Sequence, residues 1–328
     1  MSDWKATLLR RLPRLPGGLR PWISLGSLGF VMAALLSHGR QLLQLSLDPQ
    51  GWLWLALAVG VSLLSLVANG VALGVVLRWL GLRPRWEPLL ALYLATNLRK
   101  YLPGGIWHLA SRVHALREGE AGLVAPLPTG LSLVAVLLDP LLAAAAALAL
   151  VPLAGWQRGL GLVCLVPLAL LQPRWLAPLL HRLERRRARD LGLEQELGKE
   201  GETPDPALVR RYPWQPLLAE LVFVLLRFAG FACCVMAFDL QLSLDWLTWL
   251  AGFALAWTAG LVVPGAPGGL GVFEAVLLLR LGVALPEPPL LAVALSYRLV
   301  VTLADLLAAG LVALDQRLAA RLAGTPSQ

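Results

Sequence analysis

The chain has 328 residues, 58% of them hydrophobic and only 15% charged, with a formal net charge of +8. Soluble domains carry roughly 25% charged residues, so a water-soluble core is excluded as the home of this much Leu, Ala and Val, and lipid must be the solvent for much of the chain. The basic balance does not mark nucleic-acid binding, because Lys and Arg sit between apolar runs, as they do in the cytoplasmic loops of membrane proteins.

The N-terminal 20 residues carry Lys5, Arg10, Arg11, Arg14 and Arg20. An apolar stretch follows from Pro21 to Ser37 with no small-x-small cleavage site, so it reads as an uncleaved first span at about 21–38. An uncharged run from Gly51 to Leu77, closed by Arg78, gives a second span within 52–80. Segment 87–117 is different. Its first part, 87–101, has only 15 positions; Pro103, Gly104 and Gly105 interrupt it; and a short helix at 106–117 carries His108, Arg112, His114 and Arg117. Neither half spans about 30 Å of hydrocarbon at a rise of about 1.5 Å per residue.

Further spans are expected at about 129–152, 157–173, 214–238 and 289–314. A polar stretch at 174–212 holds nine Lys/Arg and seven Asp/Glu, including Arg185, Arg186 and Arg187. It reads as a solvated cytoplasmic loop, with binding of anionic lipid as the alternative. Segment 246–282 repeats the earlier anomaly: an apolar helix, the break Pro264-Gly265-Ala266-Pro267-Gly268-Gly269, then a short helix from about 270. Trp22, Trp52, Trp156, Trp175, Trp214 and Trp246 fall near span ends, as interfacial anchors do.

Loop charge sets the topology. The basic N-terminus, 78–85, 174–212 and Arg317/Arg321 share the cytoplasmic side only if both broken segments dip in and return. The reading is therefore an all-α polytopic membrane protein. It has about six transmembrane helices and two re-entrant, Pro-Gly-broken hairpins entering from opposite faces in an inverted repeat. Residues 1–20 form a basic cytoplasmic N-terminus, 21–315 a single transmembrane domain, and 316–328 a cytoplasmic tail.

Paired breaks in corresponding halves point to a binding site at the membrane midplane. Irregular backbone at that depth must line a cavity or be satisfied internally. Helices that start after the breaks aim positive dipole ends at it, which favours an anion, and Arg99 and Lys100 precede the first break. The plain alternative is a structural hairpin with no ligand. Five ionisable residues, Asp139, Arg227, Glu274, Arg298 and Asp305, interrupt apolar runs. Each is expected to face the interior with a partner, because a charge at the bilayer centre costs about 2.5–3.5 kcal/mol on insertion scales. Asp139 with Arg227 is a plausible match. Arg298 and Asp305 share a helix face. For Arg112 with His108, lipid-headgroup contact and interfacial snorkelling stand side by side. Cys164, Cys233 and Cys234 lie in apolar runs without metal-ligand spacing and read as small buried hydrophobes. No Walker loop, HExxH, GxSxG or Cys/His cluster occurs, so neither an enzyme nor a cofactor is expected.

Asn97-Leu98-Arg99-Lys100-Tyr101-Leu102-Pro103-Gly104-Gly105-Ile106-Trp107, with Arg112 following, resembles the first signature of the lysylphosphatidylglycerol synthase transmembrane-region family. Val263 to Ala275, with Pro267, Gly268, Gly269, Gly271 and Glu274, resembles its Pro-Gly-Gly-x-Gly-x-x-Glu box. Leu137–Leu141 and Tyr297-Arg298-Leu299 are similar to two further family positions, and the likeness covers roughly 20–315. It implies a flippase-like membrane domain that moves an aminoacylated phospholipid between leaflets. Asp139 and Asp305 stand where the family pattern has Glu. The chain ends at Gln328, so no soluble aminoacyl-transferase domain is expected.

The expected ligand is an anionic phospholipid or polyprenyl-phosphate headgroup held between the breaks. Asn97, Arg99, Lys100, Pro103, Gly104, Gly105, Arg112, Pro267, Gly268, Gly269, Glu274 and Arg298 are the candidate contacts. In that picture Arg99, Lys100 and Arg298 neutralise phosphate, and Glu274 gates or meets a cationic group. Two other functions fit the same sequence: an accessory subunit that scaffolds a lipid- or glycan-biosynthesis enzyme, and an ion-coupled small-solute transporter.

Overall fold

The computed structural model describes residues 47–102, 106–120, 122–155, 160–191, 193, 211–263 and 266–323. The expected first span at 21–38, the tips Pro103-Gly104-Gly105 and Pro264-Gly265, and most of 192–210 lie outside the described residues.

Helix α1, Pro49–Trp79, starts where Asp48 accepts from the Gly51 N–H at 2.6 Å with Pro49 in the first turn. At a rise of about 1.5 Å per residue it is longer than the hydrocarbon is thick. The first hairpin follows: α2, Trp86–Asn97, a 3-10 turn Leu98–Tyr101, and α3, Trp107–Arg117. Helix α4, Thr129–Leu150, runs into a 3-10 turn to Ala154. Then come α5, Leu160–Leu170, and α6, Pro173–Leu191. The second half repeats the order: α7, Trp214–Ala237; a hairpin of α8, Trp246–Val262, and α9, Val272–Leu281; and α10, Glu287–Ala323. Asp245 caps α8 by accepting from the Thr248 N–H at 2.9 Å.

Packing makes the repeat visible. Helix α1 lies against α7 along the longest seam in the molecule. Helix α10 packs on α1 as α4 packs on α7; α2 packs on α10 as α8 packs on α4; α3 sits on α4 as α9 sits on α10. Exchanging the two halves maps each of these contacts onto another, as a two-repeat architecture requires. The cores differ in chemistry. The first hairpin packs through aliphatic residues such as Leu73, Leu77, Leu89, Leu116 and Leu133. The second packs around Phe231, Phe253, Phe273 and Tyr297, whose neighbouring rings lie 5.1–6.2 Å apart.

Four described helices are long and apolar enough to cross a membrane: Pro49–Trp79, Thr129–Ala154, Trp214–Ala237 and Glu287–Arg321. Their outer faces carry exposed Leu218, Val222 and Leu225 on α7 and Leu299, Leu303 and Leu307 on α10. These follow helical spacing, so each set forms one apolar stripe. Water would not tolerate stripes of this size on a monomer; lipid does.

Three expectations are corrected. The span at 157–173 shows a described helix of 11 residues, Leu160–Leu170, which bends by 84° into α6. Pro167 and Pro173 lie on either side of that bend, and each lacks the N–H that would continue the ladder. The stretch 174–212 is not a bare loop: α6 fills its first half and buries Leu176, Leu180, Glu184 and Ala188 at four-residue spacing. The last span does not end near 314 but continues as helix to Ala323, into the expected tail.

Candidate functional site

The two breaks meet. Tyr101, at the tip of the first hairpin, lies against Gly268 at the tip of the second, where an added Cβ would sit 2.9 Å from the Tyr101 Cε1. Gly268 and Gly269 have φ of 59° and 75°, the left-handed region that glycine occupies without strain. Gly269 also touches Gly260 on α8, where an added Cβ would come within 2.9 Å of the Gly260 Cα. The Pro-Gly-Gly sequence is thus needed twice over, for the turn itself and for the close approach of backbones.

Helix α10 holds both tips from one face. Arg298 donates from Nε to Glu274 Oε1 at 2.9 Å, from Nη1 to the Gly268 carbonyl at 2.5 Å and from Nη2 to the Gly269 carbonyl at 2.6 Å. Two turns on, Asp305 accepts from Asn97 Nδ2 at 2.7 Å and from the Tyr101 hydroxyl at 2.6 Å, and pairs with Lys100 at 2.7 Å. Thr302, between them, donates to the Arg298 carbonyl and lies 3.3 Å from the Tyr101 hydroxyl. The carbonyls freed by the second break are therefore satisfied by a guanidinium, as membrane depth demands.

A third cluster joins five helices. Arg112 on α3 stacks on the Tyr93 ring at 3.6 Å and donates to Thr96 Oγ1 at 3.2 Å and Asn97 Oδ1 at 3.3 Å. Its Nη1 lies 3.6 Å from Asp139 Oδ2. Asp139 also accepts from the Tyr93 hydroxyl and from Asn69 Nδ2, each at 3.3 Å. The same Asn69 nitrogen lies 3.4 Å from Glu220 Oε2 on α7. Pro140 follows Asp139 inside α4 and removes one rung of its ladder beside this cluster.

Between hairpins and clusters lies a cavity of about 210 Å³. Lys100, Arg112, Arg187, Arg227 and Arg298 line it, against Asp139 as the one lining acid among the described residues. Four of these cations have acidic partners: Asp305, Asp139, Glu274, and Asp190 for Arg187 at 3.5 Å. Arg227 differs. It is 6% exposed, and its Nε and Nη1 meet no acceptor among the described residues. Buried donors are otherwise almost always satisfied, so this guanidinium is set up to receive an anion. The wall also includes Leu261 and Val262, which are 40% and 65% exposed.

Of the sequence candidates, Asn97, Lys100, Arg112, Asp139, Arg227, Gly268, Gly269 and Arg298 line this cavity. Pro103, Gly104 and Gly105 lie outside the described residues. Pro267 opens the 3-10 turn Pro267–Gly269. Arg99 faces away, exposed and bonded to Ser111, and is not a lining residue. Glu274 is 1% exposed, and its Oε2 accepts from the Gly271 N–H at 2.7 Å while Oε1 takes Arg298. Both its oxygens are committed to the tip, which closes the N-terminus of α9 from within. The start of α3 is different: Ile106, at its cap, lines the cavity and supplies no side-chain cap.

The expected pairing of Asp139 with Arg227 is replaced by Asp139 with Arg112, and Arg112 is buried at 2% exposure rather than snorkelling. The sequence reading missed Glu220, Asn69 and Tyr93. Glu220 carried a usable signal, lying seven residues before Arg227 and so on the same face of one apolar helix. No group of three or more His, Cys, Asp or Glu among the described residues is placed to hold a metal.

No curated protein matches the chain. The family model described as the lysylphosphatidylglycerol synthase TM region, a membrane domain, matches residues 22–309. That match covers both hairpins, both clamps and the cavity between them, and the chain belongs to the lysylphosphatidylglycerol synthase transmembrane-region family.

Proposed function

We propose that this protein moves an anionic lipid between the leaflets of the cell membrane, with both termini cytoplasmic and the headgroup held between the hairpin tips. The observation that carries the reading is Arg227, a buried guanidinium with two unsatisfied nitrogens facing a cavity lined by cations. Volume decides how much of a lipid enters. A cavity of about 210 Å³ is many times the roughly 10–15 Å³ that a single water requires. That accommodates a headgroup and leaves the acyl chains outside, past Leu261 and Val262. Exposed apolar Leu261 and Val262 in the wall favour a lipid over a free solute, which calls for a closed chamber. Arg112 from α3 and Arg298 from α10 flank the headgroup position, so each repeat contributes one hairpin-linked charge. Arg187 on α6 reaches the cavity from the side assigned to the cytoplasm.

The test is transfer of labelled phosphatidylglycerol between the leaflets of reconstituted vesicles. Arg227→Gln should slow transfer at least tenfold, whereas Arg99→Ala, a change outside the cavity, should stay within twofold of the parent chain. Wild-type transfer by Arg227→Gln would sink the reading.

A further inference from the structure

The clamps at the two hairpin tips are each electrically balanced, Lys100 by Asp305 and Arg298 by Glu274. What remains buried around the cavity is Arg112, Arg227, Asp139 and Glu220. The two acids converge on one donor: a single Asn69 nitrogen reaches both carboxyls, at 3.3 and 3.4 Å. Two ionised carboxylates gathered on one amide in a buried site repel each other, and Glu220 has no cation within ion-pair distance among the described residues, so the site favours a proton on one of them. Glu220 is fully buried, and its Oε1 receives no donor from any described residue, which leaves that oxygen for the proton. Arg227 supplies a second observation, an unpartnered guanidinium one heptad along the same helix and facing the same cavity.

We infer that Asp139 and Glu220 form a proton-binding site, and that one proton on the pair accompanies each monoanionic phosphodiester headgroup into the cavity. Charge balance gives the linkage. With a proton on the pair, Arg112, Arg227 and the two acids carry one net positive charge, which one phosphodiester neutralises. Without it they carry none, and an entering anion finds no uncompensated charge. A phosphomonoester, at about −1.5 to −2 near neutrality, exceeds what a single proton balances, so the site selects a phosphodiester lipid over a polyprenyl monophosphate. The proton comes from water in the cavity, which Asp139 lines, and it leaves when Arg112 re-pairs with Asp139 after the headgroup departs.

The groups facing the pair are Asn69 on α1, Tyr93 on α2, Arg112 on α3 with His108 one turn earlier, and Arg227 on α7. Helix α6 adds Arg187 at the cavity, and α5, packed on α4, adds Cys164. The packed face of α8 presents Trp257 and Thr258, and α10 presents Tyr297 and Arg298. The further carboxyl nearby, Asp305 on α10, is held by Lys100, Asn97 and Tyr101, so the shared proton resides on Asp139 and Glu220.

This inference rests on the lipid-translocation reading but has a readout of its own. Infrared spectroscopy of the purified full chain should show a protonated carboxyl band at neutral pH, lost in Glu220→Gln and shifted in Asp139→Asn. Both variants are checked for monodispersity, and absence of the band in the parent chain overturns the inference whatever the protein transports. In phosphatidylcholine vesicles holding labelled phosphatidylglycerol, a pH gradient of one unit should bias the label about tenfold towards the alkaline side. Glu220→Gln should equilibrate the label with no bias. Transfer by the parent chain that ignores the gradient overturns proton coupling and leaves lipid movement standing. A carboxyl band without any transfer keeps the proton site and removes the lipid reading.

Discussion

Replacing Asp305 by Asn removes the charge that holds the tip of the first hairpin. Asp305 is 1% exposed and takes the Lys100 ammonium, the Asn97 amide and the Tyr101 hydroxyl within 2.6–2.7 Å. Breaking a buried ion pair from one side costs about 3–5 kcal/mol, because the partner charge stays buried without compensation. Asn keeps one acceptor oxygen, so about 3 kcal/mol is expected for Asp305→Asn, and a similar loss for Lys100→Met, which strands the carboxylate. Removing both charges leaves no unpaired ion, and the double variant should lie within about 1.5 kcal/mol of the parent chain. Unfolding in mixed micelles, followed by tryptophan fluorescence, gives the three values. The double-mutant cycle then yields a coupling of several kcal/mol, well beyond the few tenths seen for independent sites. A loss under about 1 kcal/mol for Asp305→Asn, or a double variant equal to the sum of the singles, would refute the assignment of Asp305 as the clamp.

Two further outcomes follow from local geometry. Gly269→Ala places a methyl 2.9 Å from the Gly260 Cα at a φ of 75°; strain of about 1–3 kcal/mol is expected, seen as a lower melting temperature, whereas Gly60→Ala, inside α1 with nothing within 4 Å, should not lower it. Glu184, on the strongly charged helix α6, has its carboxyl pushed up from 4.5 to about 7 by burial, with Arg185 pulling the other way. The folded state therefore holds the proton more tightly, and the docking of α6 is strongest at acid pH and weakens as pH rises through about 7. Hydrogen exchange across Pro173–Leu191 should speed up between pH 5.5 and 8 beyond its intrinsic pH dependence, and Glu184→Gln should abolish that extra component.

The breaks and the long helices were legible because their causes are local: Pro and Gly at membrane depth, and apolar runs bounded by charge. The family signatures around the breaks were legible for the same reason, whereas the contact of Tyr101 with Gly268 was not. Partner choice did not. Arg112 and Arg227 are both arginines near Asp139, and which one reaches it depends on how α3 lies on α4, a tertiary fact without a sequence period. Glu274 looked like a headgroup contact because it sits on the first turn after a break, yet the same position lets it cap its own helix. The bend between α5 and α6 was hidden because apolar composition continues through Leu171 while the helix stops at Leu170.

The clamps have a mechanical corollary. Arg298, Thr302 and Asp305 occupy one face of α10, and each reaches a hairpin tip. A helix turns by about 100° per residue, so a modest roll of α10 about its own axis withdraws all three side chains together. The two tips then let go at the same moment, like two latches on a single spindle. Opening one tip alone requires tearing its clamp from a helix that stays put.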